Sequence, residues 1–224
     1  MKHTCINRRE FNSIGFAGAA GALGLAAGIS APSAYAQGGP VEGTHYLRLA
    51  QPVPQTSTGK VEVVEFFWYG CPHCYALEPF VEAWQAKLPA DVNFRRVPVG
   101  FAPQHEFHQK VFYTLEAMGK LGELHRKFFD AIHKDHKRMA TEAEVVAFAS
   151  ANGLDGTKFA DTMKSFTVIG KVRQAKQLSD AYHVDGVPMV GVQGRFTTSA
   201  TMAGAAERTF AVVDFLVNKS RQPA

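Results

Sequence analysis

Two cysteines with two residues between them, Cys71 and Cys74, are the residues of this sequence best suited to chemistry. They enclose Pro72 and His73, and they follow a continuous apolar segment that predicts a buried strand. A thiol pair with this spacing, placed between a strand and a helix, is typical of a thiol–disulfide redox site. The third cysteine, Cys5, lies in a predicted export signal. The two thiols can therefore pair only with each other or with a visiting protein.

The position of Cys71 favours a reactive sulfur. A thiolate, and not a thiol, attacks disulfides and leaves from them, so a redox site has to stabilise negative charge on sulfur. Cys71 is predicted to start a helix, where free backbone N–H groups and the helix dipole favour an anion. His73, if charged, would add a second stabilising interaction. Cys74 lies one turn further along, and we expect it to be buried and to act as the resolving partner.

Other uses of such a cysteine pair are a fixed disulfide, a zinc site and haem attachment. Zinc usually needs four protein ligands, or three and water, and the chain has no second cysteine pair. Haem attachment needs a histidine after the second cysteine, where Tyr75 stands. His125, His133 and His136 fall in a helical region; two of them one turn apart are too few for a metal site, and a solvated helix face is favoured. We expect no metal and no other cofactor.

Residues 1–36 predict a removable export signal. A basic start is followed by an uncharged Gly/Ala/Leu run over 14–29 and by Ala34-Tyr35-Ala36, which matches a cleavage pattern. The run is too short and too rich in glycine for a membrane span, which needs about 20 strongly apolar residues. Arg8-Arg9 resembles a twin-arginine signal, but its flanking residues depart from that pattern, so the export route stays open. We therefore expect a periplasmic protein that starts at Gln37.

Charge and size limit the function classes. The 224-residue chain has a formal charge of +4, and loss of the signal lowers it to about +2, which gives no reason to expect nucleic-acid binding. Roughly 190 residues remain, which suits one domain with an insertion. The exported compartment is oxidising, but two cysteines are too few for a disulfide-stapled scaffold. The pair is thus expected to be functional and not structural.

The pattern of elements predicts an α/β fold in the order βαβ, helical insertion, ββα. The elements are a lead-in over 37–60 with an edge strand at 46–49 and a loop at 51–59, strands at 61–68 and 92–99, a helix from Pro72 that is kinked at Pro79, helices throughout 104–179, a hairpin of strands at 189–192 and 195–197, and an amphipathic helix at 205–219. Thr141 and Glu144 match a capping box. A strand–helix–strand unit predicts parallel pairing of its strands.

The run Glu65-Phe66-Phe67-Trp68-Tyr69-Gly70-Cys71-Pro72-His73-Cys74-Tyr75 resembles the active-site strand and helix of the DsbA family of periplasmic thiol–disulfide oxidases. The resemblance extends over the predicted mature chain, including Gly186-Val187-Pro188. It implies a thioredoxin-like fold with a helical insertion domain, in which 61–103 and 180–224 form the two halves of the thioredoxin fold and 104–179 the insertion. It also implies donation of the cysteine disulfide to reduced exported proteins; DsbA is itself the standard example of such a strong oxidant.

The same resemblance implies how a substrate is held. Val187 and Pro188 match the cis-proline loop of the family, which lies beside the disulfide and offers backbone hydrogen bonds to an extended substrate. Isomerase relatives usually carry threonine before this proline, and Val187 is the choice of oxidases. Trp68 and Tyr69 are expected to be partly exposed and to line a hydrophobic groove, although Trp68 could equally belong to the core.

The resemblance further implies a buried acid. Glu65 matches the family's acid beneath the cysteines, which would exchange a proton with the resolving thiol, and burial would raise its pKa for that task. The alternative is a partly solvated strand face, as expected for Glu62. The apolar neighbours Val64 and Phe66 favour burial.

The implied partners are reduced exported proteins and a membrane protein resembling the quinone-linked DsbB, which would reoxidise the cysteines. We expect a monomer that binds no nucleic acid. Alternatives are a reductase or isomerase of the same fold, a disulfide exchanger dedicated to one client, and a chaperone or binding module with a structural disulfide. A DsbC-type isomerase carries a dimerisation domain, and too few residues precede Val61 to form one.

Overall fold

The computed structural model describes residues 38–222, which form one mixed sheet with helices on both faces. The elements are β1 (Leu47–Arg48), β2 (Val61–Phe67), α1 (Pro72–Gln85), β3 (Val92–Pro98), α2 (Pro103–Ala117), α3 (Leu121–His133), α4 (Glu142–Ala151), α5 (Gly156–Met163), α6 (Phe166–Ala181), β4 (Met189–Val192), β5 (Phe196–Thr198), α7 (Ala200–Ala203) and α8 (Ala206–Arg221). The predicted order is confirmed, and the short helix α7 is an addition to it. The predicted export signal, residues 1–36, lies outside the described residues.

Strand β2 lies inside the sheet, whose order is β1-β5-β4-β2-β3. It pairs in parallel with β3, as predicted for the strand–helix–strand unit, and antiparallel with β4. All seven of its residues are buried, because helices cover both faces, and this explains its nearly continuous apolar character. The β2–β3 register places Glu65 beside Arg96.

Two hydrophobic clusters fix the two faces of the sheet. One contains Leu77 of α1 and Leu216 of α8, together with Val63 of β2. The other contains Phe66 of β2 and the aromatic side chains of the helical insertion, among them Phe128 of α3. Helix α1 packs in the first cluster through Leu77, while Cys71 and Cys74 at its start belong to the second cluster, so the cysteines lie against the insertion.

Glu62 is fully buried, and the expectation of a partly solvated face at this position is wrong. Arg95 of β3 lies 3.1 Å from its carboxylate, and the Thr56 hydroxyl also donates to it. Burial would raise the pKa of Glu62, but these hydrogen bonds outweigh burial and lower it. The acid is tolerated inside because it has partners, which strand alternation does not reveal.

Helix ends follow the sequence signals. Thr141 and Glu144 form the predicted capping box at the start of α4, and α1 continues through Pro79 to Gln85. None of the helices within residues 38–222 combines the length and the apolar character that a membrane crossing requires.

Candidate redox site

Cys71 is the N-cap of α1, and Pro72 occupies the first helical position. The Cys71 backbone is extended, with φ −85° and ψ 116°, and its Sγ accepts a hydrogen bond from the Cys74 N–H at 3.3 Å. Proline suits the first turn because its missing N–H would have no partner there. The sulfur therefore takes the place that a serine or aspartate oxygen usually takes at a helix start.

The surroundings of Cys71 favour its thiolate. Its pKa is lowered to about 6, chiefly by a hydrogen bond from the Cys74 thiol. Backbone N–H groups of Cys74 and His73 and the charge of His73 add to this effect, while partial burial opposes it. His73 itself is exposed, so its charge acts on the Cys71 sulfur from the solvent side of the site.

Cys71 is itself nearly covered, since only 7 % of its surface is exposed. The reason is the loop before β4, because the Val187 carbonyl lies 3.5 Å from Cys71 Sγ. Cys74 is fully buried, as predicted. Burial, the neighbouring Cys71 sulfur and Glu65 raise the pKa of Cys74. Both cysteines are free thiols in this structure. Because their pKa values are shifted in opposite directions, Cys71 is suited to attack and Cys74 holds its proton.

The peptide bond between Val187 and Pro188 is cis, as predicted. Together with His73 and Met189, these residues line a cavity of about 320 Å³ beside the cysteines. The structure thus brings the cysteine pair and the proline loop to one place, with open space next to them.

Trp68 is half-buried, and its ring centroid lies 4.1 Å from that of His105. A Cβ at Gly70 would overlap the indole, so glycine is required for the tryptophan to lie against the Cys71 loop. Tyr69 is fully buried, and the expectation that it lines an exposed groove is wrong. Its ring packs 4.6 Å from Phe128 and 4.9 Å from Phe129, inside the insertion core.

Glu65 lies fully buried on β2, within electrostatic reach of Cys74. Arg96 Nε is 3.1 Å from its Oε2, but neither carboxyl oxygen receives a well-directed hydrogen bond from the described residues. Burial raises the pKa of Glu65 to about 8; Arg96 opposes this, and Glu78 of α1 adds to it. A carboxyl in such surroundings holds a proton near neutral pH.

Arg96 also contacts Glu78, whose Oε2 lies 3.1 Å from its guanidinium. Glu78 Oε1 in turn lies 3.3 Å from His125 Nε2. Burial would raise the pKa of Glu78, but His125, Arg96 and Arg126 outweigh burial and lower it. Arg96 is thus shared by two buried carboxyl groups, of which Glu65 has a raised pKa and Glu78 a lowered pKa.

His125 is buried and His133 half-buried, so the interpretation of these histidines as a solvated face is wrong. His125 Nδ1 lies 2.8 Å from the Tyr69 hydroxyl, and His133 Nε2 lies 2.8 Å from the Tyr69 carbonyl. His136 is exposed beyond the end of α3. Within residues 38–222, no three His, Cys, Asp or Glu side chains form a group that could hold a metal.

Sequence analysis missed Glu78, Arg96 and His125 as parts of the site. Glu78 was detectable, because it follows Cys74 by one helical turn and lies on the apolar face of α1. Arg96 follows Arg95 and so interrupts the alternation of β3, which is a weaker signal. His125 had no local signal, since its partners come from α1 and from the residues after β2.

Comparison with known proteins places this arrangement in one family. The profile of the DSBA-like thioredoxin domain matches residues 62–214. The thiol:disulfide interchange protein DsbA of Pseudomonas aeruginosa is 45 % identical over 182 residues, which cover 81 % of this chain and 86 % of that protein. DsbA of Azotobacter vinelandii is 45 % identical over 179 residues, covering 80 % and 84 %. The crystal structure of the Pseudomonas aeruginosa protein matches with a TM-score of 0.78, covering 81 % of this chain and 94 % of the other.

Proposed function

The chain belongs to the DsbA family of thiol:disulfide interchange proteins, and from this premise we propose that Cys71 and Cys74 are the disulfide it donates. The protein is a disulfide oxidoreductase that acts on reduced protein substrates. The observation that carries the proposal is the asymmetry of the pair: the Cys71 pKa is lowered to about 6, while the pKa of the buried Cys74 is raised. A sulfur that is stable as a thiolate is a good leaving group, and its stability favours the reduced enzyme.

Exchange begins when a substrate thiolate attacks Cys71 Sγ of the oxidised enzyme. The Cys71–Cys74 bond breaks, Cys74 leaves with the electron pair, and a mixed disulfide joins the substrate to Cys71. The second substrate thiolate then attacks the substrate sulfur of that bond and expels Cys71 as a thiolate. The substrate is oxidised by two electrons and the enzyme is reduced by two.

Three further groups support this exchange. Glu65 gives its proton to the departing Cys74 sulfur, for which its raised pKa and its place near that sulfur suit it. Backbone groups of Val187 and Pro188 hold the extended substrate beside Cys71. Trp68 borders the approach to the cysteines with its half-buried ring.

The rest of the chain directs export and builds the fold around the cysteines. Residues 1–36 direct export to the periplasm and are removed, 61–103 and 180–224 form the two halves of the thioredoxin fold, and 104–179 form the insertion. A quinone-linked membrane protein of the DsbB type reoxidises the cysteines. The protein acts as a monomer without a cofactor and binds no nucleic acid.

Equilibration with glutathione buffers over a range of pH tests the function. We expect a potential well above the value of about −270 mV for thioredoxin. Since the reduced enzyme keeps Cys71 ionised above a pKa of about 6, reduction takes up two protons below that pH and one above it. The slope of potential against pH should change from about −59 to about −30 mV per unit near pH 6.

The potential depends on pH in this direction because the Cys71 thiolate exists only in the reduced enzyme. A lowered thiol pKa stabilises the reduced enzyme above pH 6, and this advantage is lost as the pH falls through that value. A thioredoxin-like potential would indicate a reductase, and a slope without a break would contradict the stabilised thiolate.

Replacement of His73 by serine should raise the pKa of Cys71 by about one unit, because a nearby positive charge favours the thiolate. The potential at pH 7 should fall by at most about 30 mV. Ultraviolet absorbance of the thiolate during a pH titration gives the pKa, and glutathione equilibration gives the potential.

Salt provides the control for the His73 variant. Because His73 is exposed, high salt should screen its charge and move the wild type towards the variant. An unchanged Cys71 pKa in the variant would show that helix N–H groups and Cys74 act alone.

A further inference from the structure

His125 joins the insertion to both sides of the cysteine pair. From α3 it reaches Glu78 of α1 through Nε2 at 3.3 Å and the Tyr69 hydroxyl through Nδ1 at 2.8 Å. Tyr69 precedes Cys71 by two residues, and Glu78 follows Cys74 by one helical turn. The ring is 6 % exposed and lies among aromatic side chains, 5.3 Å from Phe67.

The partners determine the direction of every hydrogen bond in this chain of contacts. An ionised Glu78 can only accept, so the His125 proton must lie on Nε2. Burial lowers the pKa of His125, which keeps the ring neutral, so Nδ1 has a free lone pair and the Tyr69 hydroxyl donates to it. Tyr69 can do so because burial raises its pKa and keeps its proton.

The charges of the cluster then leave one carboxyl without a counterion. Arg96 lies 3.1 Å from both Glu65 and Glu78, but within residues 38–222 only Glu78 has a second donor, the His125 N–H. The charged groups facing the cluster are Arg96 from β3 and Arg126 from α3. Two buried acids that share one buried arginine are best accommodated when one of them is protonated.

We propose that His125 is a positioning residue that keeps Glu78 ionised and thereby leaves the shared proton on Glu65, within electrostatic reach of Cys74. The proposal rests on the function above and deepens it. When the Cys71–Cys74 bond breaks, the Cys74 thiolate takes the Glu65 proton, and the carboxylate left behind takes up a proton from solvent at a pH below its pKa of about 8. Reoxidation reverses this transfer. If the proton lay on Glu78 instead, Glu65 would place a negative charge beside the departing sulfur.

Replacement of His125 by leucine tests the proposal, since it keeps the volume and removes the donor to Glu78. Loss of a hydrogen bond to a charged group should raise the Glu78 pKa, transfer the Arg96 charge to Glu65, and lower the midpoint of Glu65 protonation by roughly one to two pH units. The infrared carbonyl band of the protonated carboxyl in the oxidised enzyme reports this midpoint. Glu65→Gln identifies the band.

Two further variants separate positioning from a merely structural role. His125→Gln retains an N–H towards Glu78 and should keep the midpoint near that of the wild type. Glu78→Gln leaves Arg96 with Glu65 alone and should lower the midpoint as His125→Leu does, even if the leucine variant does not fold. An unshifted midpoint in Glu78→Gln, or in a folded His125→Leu, overturns the proposal, as does an equal shift in His125→Gln.

Disulfide donation by the wild type, measured in the same pH series, distinguishes a failure of the proposed function from a failure of the role of His125. A wild type that does not oxidise a reduced peptide contradicts the proposed function. A wild type that does so, with an unshifted Glu65 midpoint in the variants, contradicts only the role of His125.

Discussion

Replacement of Cys71 by serine should reduce the oxidation of a reduced protein to the uncatalysed level, whereas replacement of Cys74 should trap the enzyme on its substrates. Without Cys71 no disulfide can form at the site, and the buried Cys74 is out of a substrate's reach. With Cys71 alone, the thiolate still attacks a substrate disulfide and forms a mixed disulfide. That bond persists because the resolving thiol is missing.

Refolding of a reduced protein gives the activity of each variant, and incubation with a disulfide-bonded protein, followed by non-reducing electrophoresis, shows the covalent adduct. The adduct should appear with Cys74→Ser and be absent with Cys71→Ser. Addition of a thiol should reduce its disulfide bond and release the substrate. A Cys71→Ser protein that still assists folding would contradict the redox function and favour a binding module with a structural disulfide. Equal adduct formation by both variants would contradict the assignment of Cys71 as the attacked sulfur.

The parts of the site that sequence analysis predicted are those determined by local chain geometry. Cys71 caps a helix because Pro72 suits the first helical position and the preceding strand ends at Phe67, four positions before Cys71. The strand itself is recognisable from its continuous apolar character. The proline loop was found through resemblance alone, since nothing local distinguishes Val187-Pro188 from an ordinary turn before a strand.

The parts that sequence analysis missed depend on contacts between distant elements. Tyr69 was expected near the surface because it precedes the cysteines, yet the insertion helices enclose it. His125 was grouped with the histidines of a solvated helix face because these were too few for a metal site, and its two partners lie 56 and 47 residues away. Residue type and periodicity do not encode which polar groups meet when such elements pack.

The buried cluster links these two kinds of residue. Glu65 stands six positions before Cys71 on the strand that ends at the site, and Glu78 stands seven positions after it on the helix. Arg96 meets both acids because the β2–β3 register sets it beside Glu65 and its length brings it to α1. The helix that Cys71 caps therefore depends on a charge that β3 provides. Removal of the Arg96 charge should lower the free energy of unfolding more than it changes disulfide exchange.

Replacement of Arg96 by methionine should lower the free energy of unfolding by about 3–5 kcal/mol at pH 7, because it removes the guanidinium beside the buried, ionised Glu78. Chemical denaturation of the wild type and the variant measures the difference. Arg48→Met is a matched control, since Arg48 forms an exposed pair with Glu42 at 3.3 Å and its loss should cost at most about 1 kcal/mol.

The deficit of the Arg96 variant should depend on pH with a definite sign. In the wild type the Glu78 pKa lies below its usual 4.5, so its contribution to stability is present above that pH and fades as the pH falls. Without Arg96, burial raises the pKa of this carboxyl, and the folded state must protonate it at neutral pH. The variant should therefore approach the wild type as the pH falls towards 4. A deficit of equal size at pH 4 and pH 7 would mean that the arginine stabilises the fold by packing of its side chain, and not by its charge.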